Sequence, residues 1–409
     1  MNCRHCNNKL NHLFADLHYS PPSNRYLTPE QLSRPEVYYP LRVQVCDNCW
    51  LVQTEDYVES ETDGLFDENY AYFSSTSSSF LEHAKIYCEK MISRFSLNSE
   101  SLVIEIASND GYLLKNFIGT EINTIGIEPT KSTAEAAKKI GINVIQDFFG
   151  VDLANKLLND DIKSDLIIGN NVYAHIPDIN DFTQGMKLLL KKDGVITLEM
   201  PHLLELLKHS QFDTIYHEHF SYHSLYTIQK IFKKHGLRIF DVDVLETHGG
   251  SLRVYGCLEN ASHIEQSSVS NVLEDEKNSG LQKLDTYNSF QPMIDNIKIN
   301  VIEFLIEKKK EGKTVVAYGA AAKGNTLLNY CGIKSDLITA VFDAAEAKQG
   351  KFLPGSHIPI LDPKKIKSFN PDYVIILPWN IADEVMNQNK ELQKDGIKFV
   401  IAVPELKIL

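Results

Sequence analysis

Residues 216–226 gather three histidines (His217, His219, His223), Glu218 and three tyrosines (Tyr216, Tyr222, Tyr226). Imidazole titrates nearest neutrality, and an adjacent carboxylate can hold it in one tautomer, so the cluster has the parts of an acid/base centre. His-x-His spacing also suits zinc, and a packed aromatic strand with incidental histidines is a third reading. Thiols supply a second chemistry. Cys3, Cys6, Cys46 and Cys49 form two Cys-x-x-Cys pairs, while Cys88, Cys257 and Cys331 stand alone. Two such knuckles complete a tetrahedral S4 site for Zn2+, and four filled positions make the metal structural. Two unrelated pairs of buried or redox-active thiols are the alternative. Pro21, Pro22, Pro29, Pro35 and Pro40 predict an irregular excursion between the inner cysteines.

These groups need a frame. Apolar runs at 101–107, 123–129, 142–145, 165–171 and 194–201 read as strands. Helical patterns at 111–117, 132–140, 151–158 and 181–190 separate them. Such alternation predicts βαβ units and a parallel sheet, whose ligands sit at the carboxyl ends of the strands. Those ends are polar. The first leads into EIASNDG (105–111), with the spacing of the acidic-x-Gly-x-Gly-x-Gly loop of S-adenosylmethionine methyltransferases. Ala107 and Asn109 replace two glycines, Asn109 tolerates a left-handed backbone, and Gly111 keeps the close turn. Glu128, followed by Pro129, ends the second strand and can accept from both ribose hydroxyls. Asp147 and Phe148 follow the third strand, where an acid and an aromatic can read adenine; Asn170 and Asn171 end the fourth. A dinucleotide site would want Gly-x-Gly-x-x-Gly, which this loop lacks. The expected cofactor contacts are thus Glu105, Asn109, Gly111, Glu128, Pro129, Asp147, Phe148 and Asn170.

Residues 259–311 are polar and helical in pattern. Further strands are expected at 313–320, 336–343, 373–379 and 398–404, which makes a second, smaller α/β unit. Its first turn, 318–325, places small residues and Lys323 at a helix N-terminus. That is either a plain strand-to-helix turn or an anion site for a diphosphate. The loop 353–363 is long enough to close over it.

Several long segments carry a resemblance: the paired cysteines, EIASNDG, NNVYAHIPDINDF (170–182), FDTIYHEHFSYHSL (212–225) and THGGSLRVY (247–255). Together they resemble the S-adenosylmethionine-dependent sugar C-methyltransferases, which modify nucleotide-linked 4-keto-deoxysugars, as in branched sugars of antibiotics and lipopolysaccharides. The resemblance implies an α/β protein of three parts. They are a zinc-binding module (1–65), a Rossmann-like methyltransferase domain (66–258) and a connector with a smaller Rossmann-like substrate domain (259–409). It implies a monomer. The family's Tyr-x-Glu-His motif matches Tyr216, Glu218 and His219, with His219 as general base. His175 matches a histidine near the sugar, and Tyr70 a tyrosine of the aromatic segment 66–80. Asn171, His248 and Lys323 join Tyr70 as candidate substrate contacts. The chemistry fits independently, because a base can take the proton from a carbon beside a ketone when donors stabilise the enolate. Oxygen or nitrogen methylation, and a noncatalytic zinc-anchored binding module, are the competing functions.

Composition narrows the partners. Lys plus Arg number 41 against 54 Asp plus Glu, a net charge of −13, which disfavours nonspecific nucleic-acid binding. No apolar stretch approaches the roughly 18–20 residues of a membrane span. The N-terminus lacks the apolar core of a signal peptide, so cytoplasmic residence is expected.

Overall fold

A computed structural model describes residues 1–57, 74–76 and 78–409. Tyr70, with Tyr72 and Phe73, lies outside the described residues. At the N-terminus β1 (His12–Ser20), β2 (Tyr39–Val45) and β3 (Val52–Thr54) form an antiparallel meander. Along β2 the pleat buries Leu41, Val43 and Val45, while Arg42 and Gln44 between them are half-buried. The interval between the inner cysteines therefore holds two strands, and only its proline-rich part, 21–38, stays irregular apart from the 3-10 turn Pro29–Ser33.

The helix Ser78–Phe95 leads into the central sheet. Its strands are β4 (Leu102–Ile106), β5 (Asn123–Ile127), β6 (Val144–Ile145), β7 (Ser164–Asn170) and β8 (Leu190–Pro201). They pair in parallel and are apolar through both faces: Ile104, Ile167 and Ile168 are each 0% exposed. After β9 (Ser221–Tyr222) come β10 (Leu237–Leu245) and β11 (Ser251–Leu258). The sheet order is β10-β11-β8-β7-β4-β5-β6, with β11 antiparallel to both its neighbours. Strand order turns at β4, which opens a crevice at the carboxyl ends of β4 and β7. Short β9 belongs elsewhere. It pairs with β3, Val52 opposite Tyr222, so the N-terminal sheet takes its fourth strand from the middle of the chain.

The expected helix at 111–117 is instead a 3-10 turn, Leu114–Phe117. Gly111 is left-handed at φ +79, and Asn116 Nδ2 donates to the Leu113 carbonyl at 2.8 Å, a local bond that competes with helix.

The helices Ser267–Asn278 and Phe290–Lys310 cross to the C-terminal sheet. The first is more than a connector, because buried Glu276 accepts from the Tyr226 amide at 3.0 Å and from His202 Nε2 at 2.8 Å. That carboxylate caps the helix Leu225–Lys234. The C-terminal strands are β12 (Val315–Tyr318), β13 (Val341–Phe342), β14 (Ile360–Leu361), β15 (Tyr373–Ile376), β16 (Lys398–Ile401) and β17 (Lys407–Ile408). Their order is β14-β13-β12-β15-β16-β17, parallel except for β17. The stretch 353–363 is no free loop: Leu353, Ile358 and Ile360 are buried, and His357 Nε2 donates to Glu36 at 2.8 Å. Among the described residues no helix is long and apolar enough to cross a membrane.

Candidate active site

The histidine-rich segment starts in the 3-10 turn Phe212–Thr214 and runs into β9. His219 Nδ1 donates to the Thr214 carbonyl at 2.7 Å, which leaves the lone pair on Nε2. The ring of Tyr216 lies 3.9 Å from that of His219, and His175 presents its edge at 4.7 Å. Burial, and then the charge of His175, holds His219 well below the ordinary histidine value. Burial likewise pushes His175 down to about 4. The segment's other histidines turn away. His217 donates to the Pro40 carbonyl at 3.2 Å, and His223 donates to the Tyr173 carbonyl at 3.3 Å. The cluster is no metal site: among the described residues only the four cysteines bring three or more ligands together.

Glu218 does not set the tautomer of His219. Both its oxygens accept from Asn24 Nδ2, at 2.9 and 2.8 Å, and burial pushes its carboxyl up to about 7. Asn24 comes from the proline-rich excursion of the N-terminal module. Its neighbour Tyr26 donates to the Ala320 carbonyl at 2.7 Å, so this excursion bridges the histidine-rich segment and the C-terminal domain.

On the sheet side, Ala107 (φ +57), Asn109 (φ +50) and Gly111 all take the left-handed backbone of a glycine-type loop. A Cβ on Gly111 would sit 3.1 Å from Ile142 and 3.2 Å from Ala137, so the loop packs close against the helix Lys131–Lys139 and the turn that follows it. Glu128 Oε2 accepts from the Asn109 amide at 2.9 Å, and Oε1 from the Thr130 amide at 2.9 Å and Thr133 Oγ1 at 3.0 Å. Pro129 sits between them at the mouth of the next helix. A carboxylate has about four acceptor sites, so Glu128 keeps capacity for a ribose hydroxyl. Glu105 Oε2, Asp110 Oδ1, Asn170 Oδ1 and Asn171 Nδ2 are buried with no hydrogen-bond partner among the described residues. Native structures rarely leave such atoms orphaned, so a polar ligand fits this edge. Burial raises Glu105 well above the usual carboxylate range. Asp147 and Phe148 stand further out: Phe148 is 67% exposed and Asp147 pairs with Lys156 at 3.4 Å. Glu128→Ala is expected to weaken S-adenosylmethionine binding roughly ten- to a hundredfold, since a charge-assisted hydrogen bond contributes about 1.5–3 kcal/mol. Calorimetry that finds unchanged affinity removes Glu128 from the ribose.

Sequence reasoning missed Glu199, at the end of β8 beside Asn170. It is 0% exposed, accepts from His83 Nε2 at 2.8 Å and Arg253 Nη2 at 2.6 Å, and takes Thr247 Oγ1 at 3.3 Å. An acid inside the apolar run ITLEMP was the available signal. Burial alone would raise its carboxyl, but the His83 hydrogen bond and the Arg253 charge outweigh it and hold it below the usual range. This stabilisation is complete above the unfolded carboxylate's pKa of about 4.3 and is lost as pH falls through the lower folded value. Glu199→Gln should destabilise the fold by about 3 kcal/mol, the lower end for breaking a buried pair. Urea titration checks it, and an unchanged midpoint would contradict it.

From the C-terminal domain, Lys323 Nζ donates to Asn380 Oδ1 at 2.7 Å and lies 4.8 Å over the Trp379 ring. Its ammonium is near enough to depress both His219 and His248. His248 is left-handed at φ +56, and Phe80 meets its ring edge at 5.8 Å. The structure thus brings Tyr216, His219, His175, His248 and Lys323 to one place.

At the N-terminus the four Sγ atoms lie within 4.8 Å of one another, with Cys3–Cys49 and Cys6–Cys46 at 3.5 Å. A zinc tetrahedron with bonds of about 2.3 Å has edges of about 3.8 Å, so the donor set fits zinc.

Comparison with known proteins agrees part by part. A zinc binding domain matches residues 3–62, a methyltransferase domain 80–242 and a C-methyltransferase C-terminal domain 246–404. C-methyltransferase NovU of Streptomyces niveus is 34% identical over 390 residues, 95% of this chain and 92% of that protein. A methyltransferase structure from Clostridium acetobutylicum covers 44% of this chain and 92% of its own at 13% identity and a TM-score of 0.34. Magnesium protoporphyrin IX methyltransferase of Synechocystis covers 43% of this chain and 78% of its own at 14% and 0.33. The two structural likenesses carry no weight; the domain matches and the full-length relative do. The chain belongs to the C-methyltransferase family that includes NovU, and it is a S-adenosylmethionine-dependent C-methyltransferase with a zinc-binding domain.

Proposed function

We propose that the protein methylates the carbon beside the ketone, C-3, of a nucleotide-linked 4-keto-deoxysugar. The observation that carries this is a histidine with Nδ1 tied to a carbonyl, Nε2 left as acceptor, and Tyr216, His175 and Lys323 close by. His219 Nε2 takes the proton from C-3, and the electron pair moves onto the ketone oxygen. Tyr216 donates to that oxygen, and the Lys323 charge favours it. Bound S-adenosylmethionine supplies the electrophilic methyl that the carbanion takes. Glu105, Asn109, Gly111, Glu128 and Asn170 hold that cofactor; Pro129, Asp147 and Phe148 line its outer end. Asn171, His248 and Lys323 face the sugar nucleotide, Glu218 contacts the sugar, and Tyr70, outside the described residues, remains a substrate contact only by the resemblance. Domain limits at 65 and 258 separate the zinc, methyltransferase and substrate parts of a chain that acts as a monomer.

A screen of 4-keto nucleotide sugars with S-adenosylmethionine, read by the mass gain of one methyl, tests the assignment. Methyl gain on a 4-hydroxy sugar but on no 4-keto sugar overturns it, because a hydroxyl cannot acidify its neighbouring carbon.

A further inference from the structure

Trp379 stands at the point where the C-terminal sheet changes direction. β12 pairs with β13 on one side and β15 on the other, so a crevice opens at their carboxyl ends, and residues 377–380 leave β15 into it. The indole meets three separate pieces of the molecule. Its Nε1 donates to Asp213 Oδ2 at 2.7 Å. Its face lies under Lys323 Nζ. Its edge covers Gly249, where a Cβ would sit 2.4 Å from Trp379 Cη2, so only glycine admits the ring there.

Asp213 is 1% exposed, and burial pushes its carboxyl up to about 6 against the opposing charge of Lys323. It belongs to the turn Phe212–Thr214, and the next carbonyl along, that of Thr214, receives the Nδ1 proton of His219. One residue further, the Ile215 carbonyl accepts from Thr326 Oγ1 at 2.9 Å, and Thr326 is again in the C-terminal domain. The turn that selects the tautomer of His219 is therefore clamped from the C-terminal side. If it relaxes, Nδ1 loses its acceptor and the proton can move to Nε2, where the ring can no longer accept one from substrate.

We infer that Trp379 is a positioning residue for methyl transfer: by holding Asp213 it fixes the Thr214 carbonyl and keeps His219 in the tautomer that serves as base. The inference rests on His219 being that base. It gives the C-terminal domain a part in the chemical step as well as in substrate binding, because the same indole carries Lys323.

Trp379→Phe keeps a ring over Gly249 and under Lys323 and removes the N–H donor. In protein with 15N-labelled histidine rings, His219 should show its proton on Nδ1, its signals being those absent from His219→Asn. Trp379→Phe should move His219 to a mixture of tautomers. It should also lower kcat with the 4-keto nucleotide sugar found by the screen roughly ten- to a hundredfold, with affinity for S-adenosylmethionine unchanged. Asp213→Leu should reproduce both effects, and Asp213→Asn, whose amide oxygen still accepts, should restore the single tautomer. Should Trp379→Phe not fold, Asp213→Leu puts the same question to the other partner. An unchanged Nδ1–H tautomer in Trp379→Phe or in Asp213→Leu overturns the inference. A shifted tautomer beside undiminished methylation by His219→Asn leaves the clamp standing and overturns His219 as base instead.

Discussion

His219→Asn is expected to lose roughly two to four powers of ten in turnover, the usual contribution of a general base, while keeping its affinity for S-adenosylmethionine. Asparagine is close in size and its amide can still donate to the Thr214 carbonyl, but it has no basic nitrogen. The loop at 105–111, proposed to hold the cofactor, belongs to a different part of the chain from His219, so binding there should survive. The pH dependence carries its own signature. Burial, with no carboxylate partner among the described residues, holds His219 well below the ordinary histidine value, so it is already the free base at neutrality. The acid limb of kcat/KM should therefore lie below about 6.5, with activity falling as pH falls through it. Glu218 is the rival that this profile exposes, since burial pushes it up to about 7. A limb near neutrality that vanishes in Glu218→Gln would hand the proton to Glu218. His175, at about 4, titrates too low for pH to separate it from His219. Solvent deuterium wash-in at the methylated carbon separates them. If His219→Asn still exchanges at the wild-type rate and His175→Asn does not, His175 is the base.

What the sequence made legible was periodic or local. Alternating strands and helices gave the central sheet, and the acid-to-acid step from Glu105 to Glu128 placed two carboxylates on neighbouring strand ends. Replacement of glycines by Ala107 and Asn109 left the loop shape intact, because the surrounding structure holds both at positive φ. What stayed hidden was long-range pairing between polar groups, which has no period. Asn24 meets Glu218 across 194 positions, Trp379 meets Asp213 across 166, and Arg253 meets Glu199 across 54. The three histidines of residues 216–226 look equivalent as letters. The tight turn in which the His219 amide donates to the Tyr216 carbonyl at 2.9 Å breaks any alternation and turns only His219 into the site. The same segment then gives β9 to the N-terminal sheet, so it shares with the zinc module hydrogen bonds that no composition boundary marks.

Loss of the metal, by chelation or by Cys46→Ser, is expected to unfold the N-terminal module and to take activity with it. The knuckles are built for the ion: each bends through a left-handed residue, Asn7 (φ +61) and Trp50 (φ +65), and Cys46 and Cys49 are 0% and 1% exposed. Four thiolates at this separation repel one another unless a cation joins them. The apolar cluster around them comprises Cys3, Leu10, Cys46, Cys49 and Leu51, with two non-cysteine side chains. Fully burying two such side chains contributes only about 3–6 kcal/mol, against about 10–16 kcal/mol for structural zinc in small zinc-finger peptides. The metal therefore dominates, and its removal cannot be offset locally. A metal with a structural role alone should let stability fail before chemistry does. The structure joins the two, since Thr54 of β3 donates from its amide to the Phe220 carbonyl at 3.1 Å and from Oγ1 to the His219 carbonyl at 3.2 Å. When the module unfolds, the main chain on the C-terminal side of His219 loses its anchor, so methyl transfer and thermal stability should decline together. Metal analysis should find one zinc per chain, lost in Cys46→Ser with a lower melting temperature. A Cys46→Ser protein with full zinc and wild-type melting would remove the four cysteines as its site, and a stripped protein that melts early yet turns over at the wild-type rate would cut the link from β3 to His219.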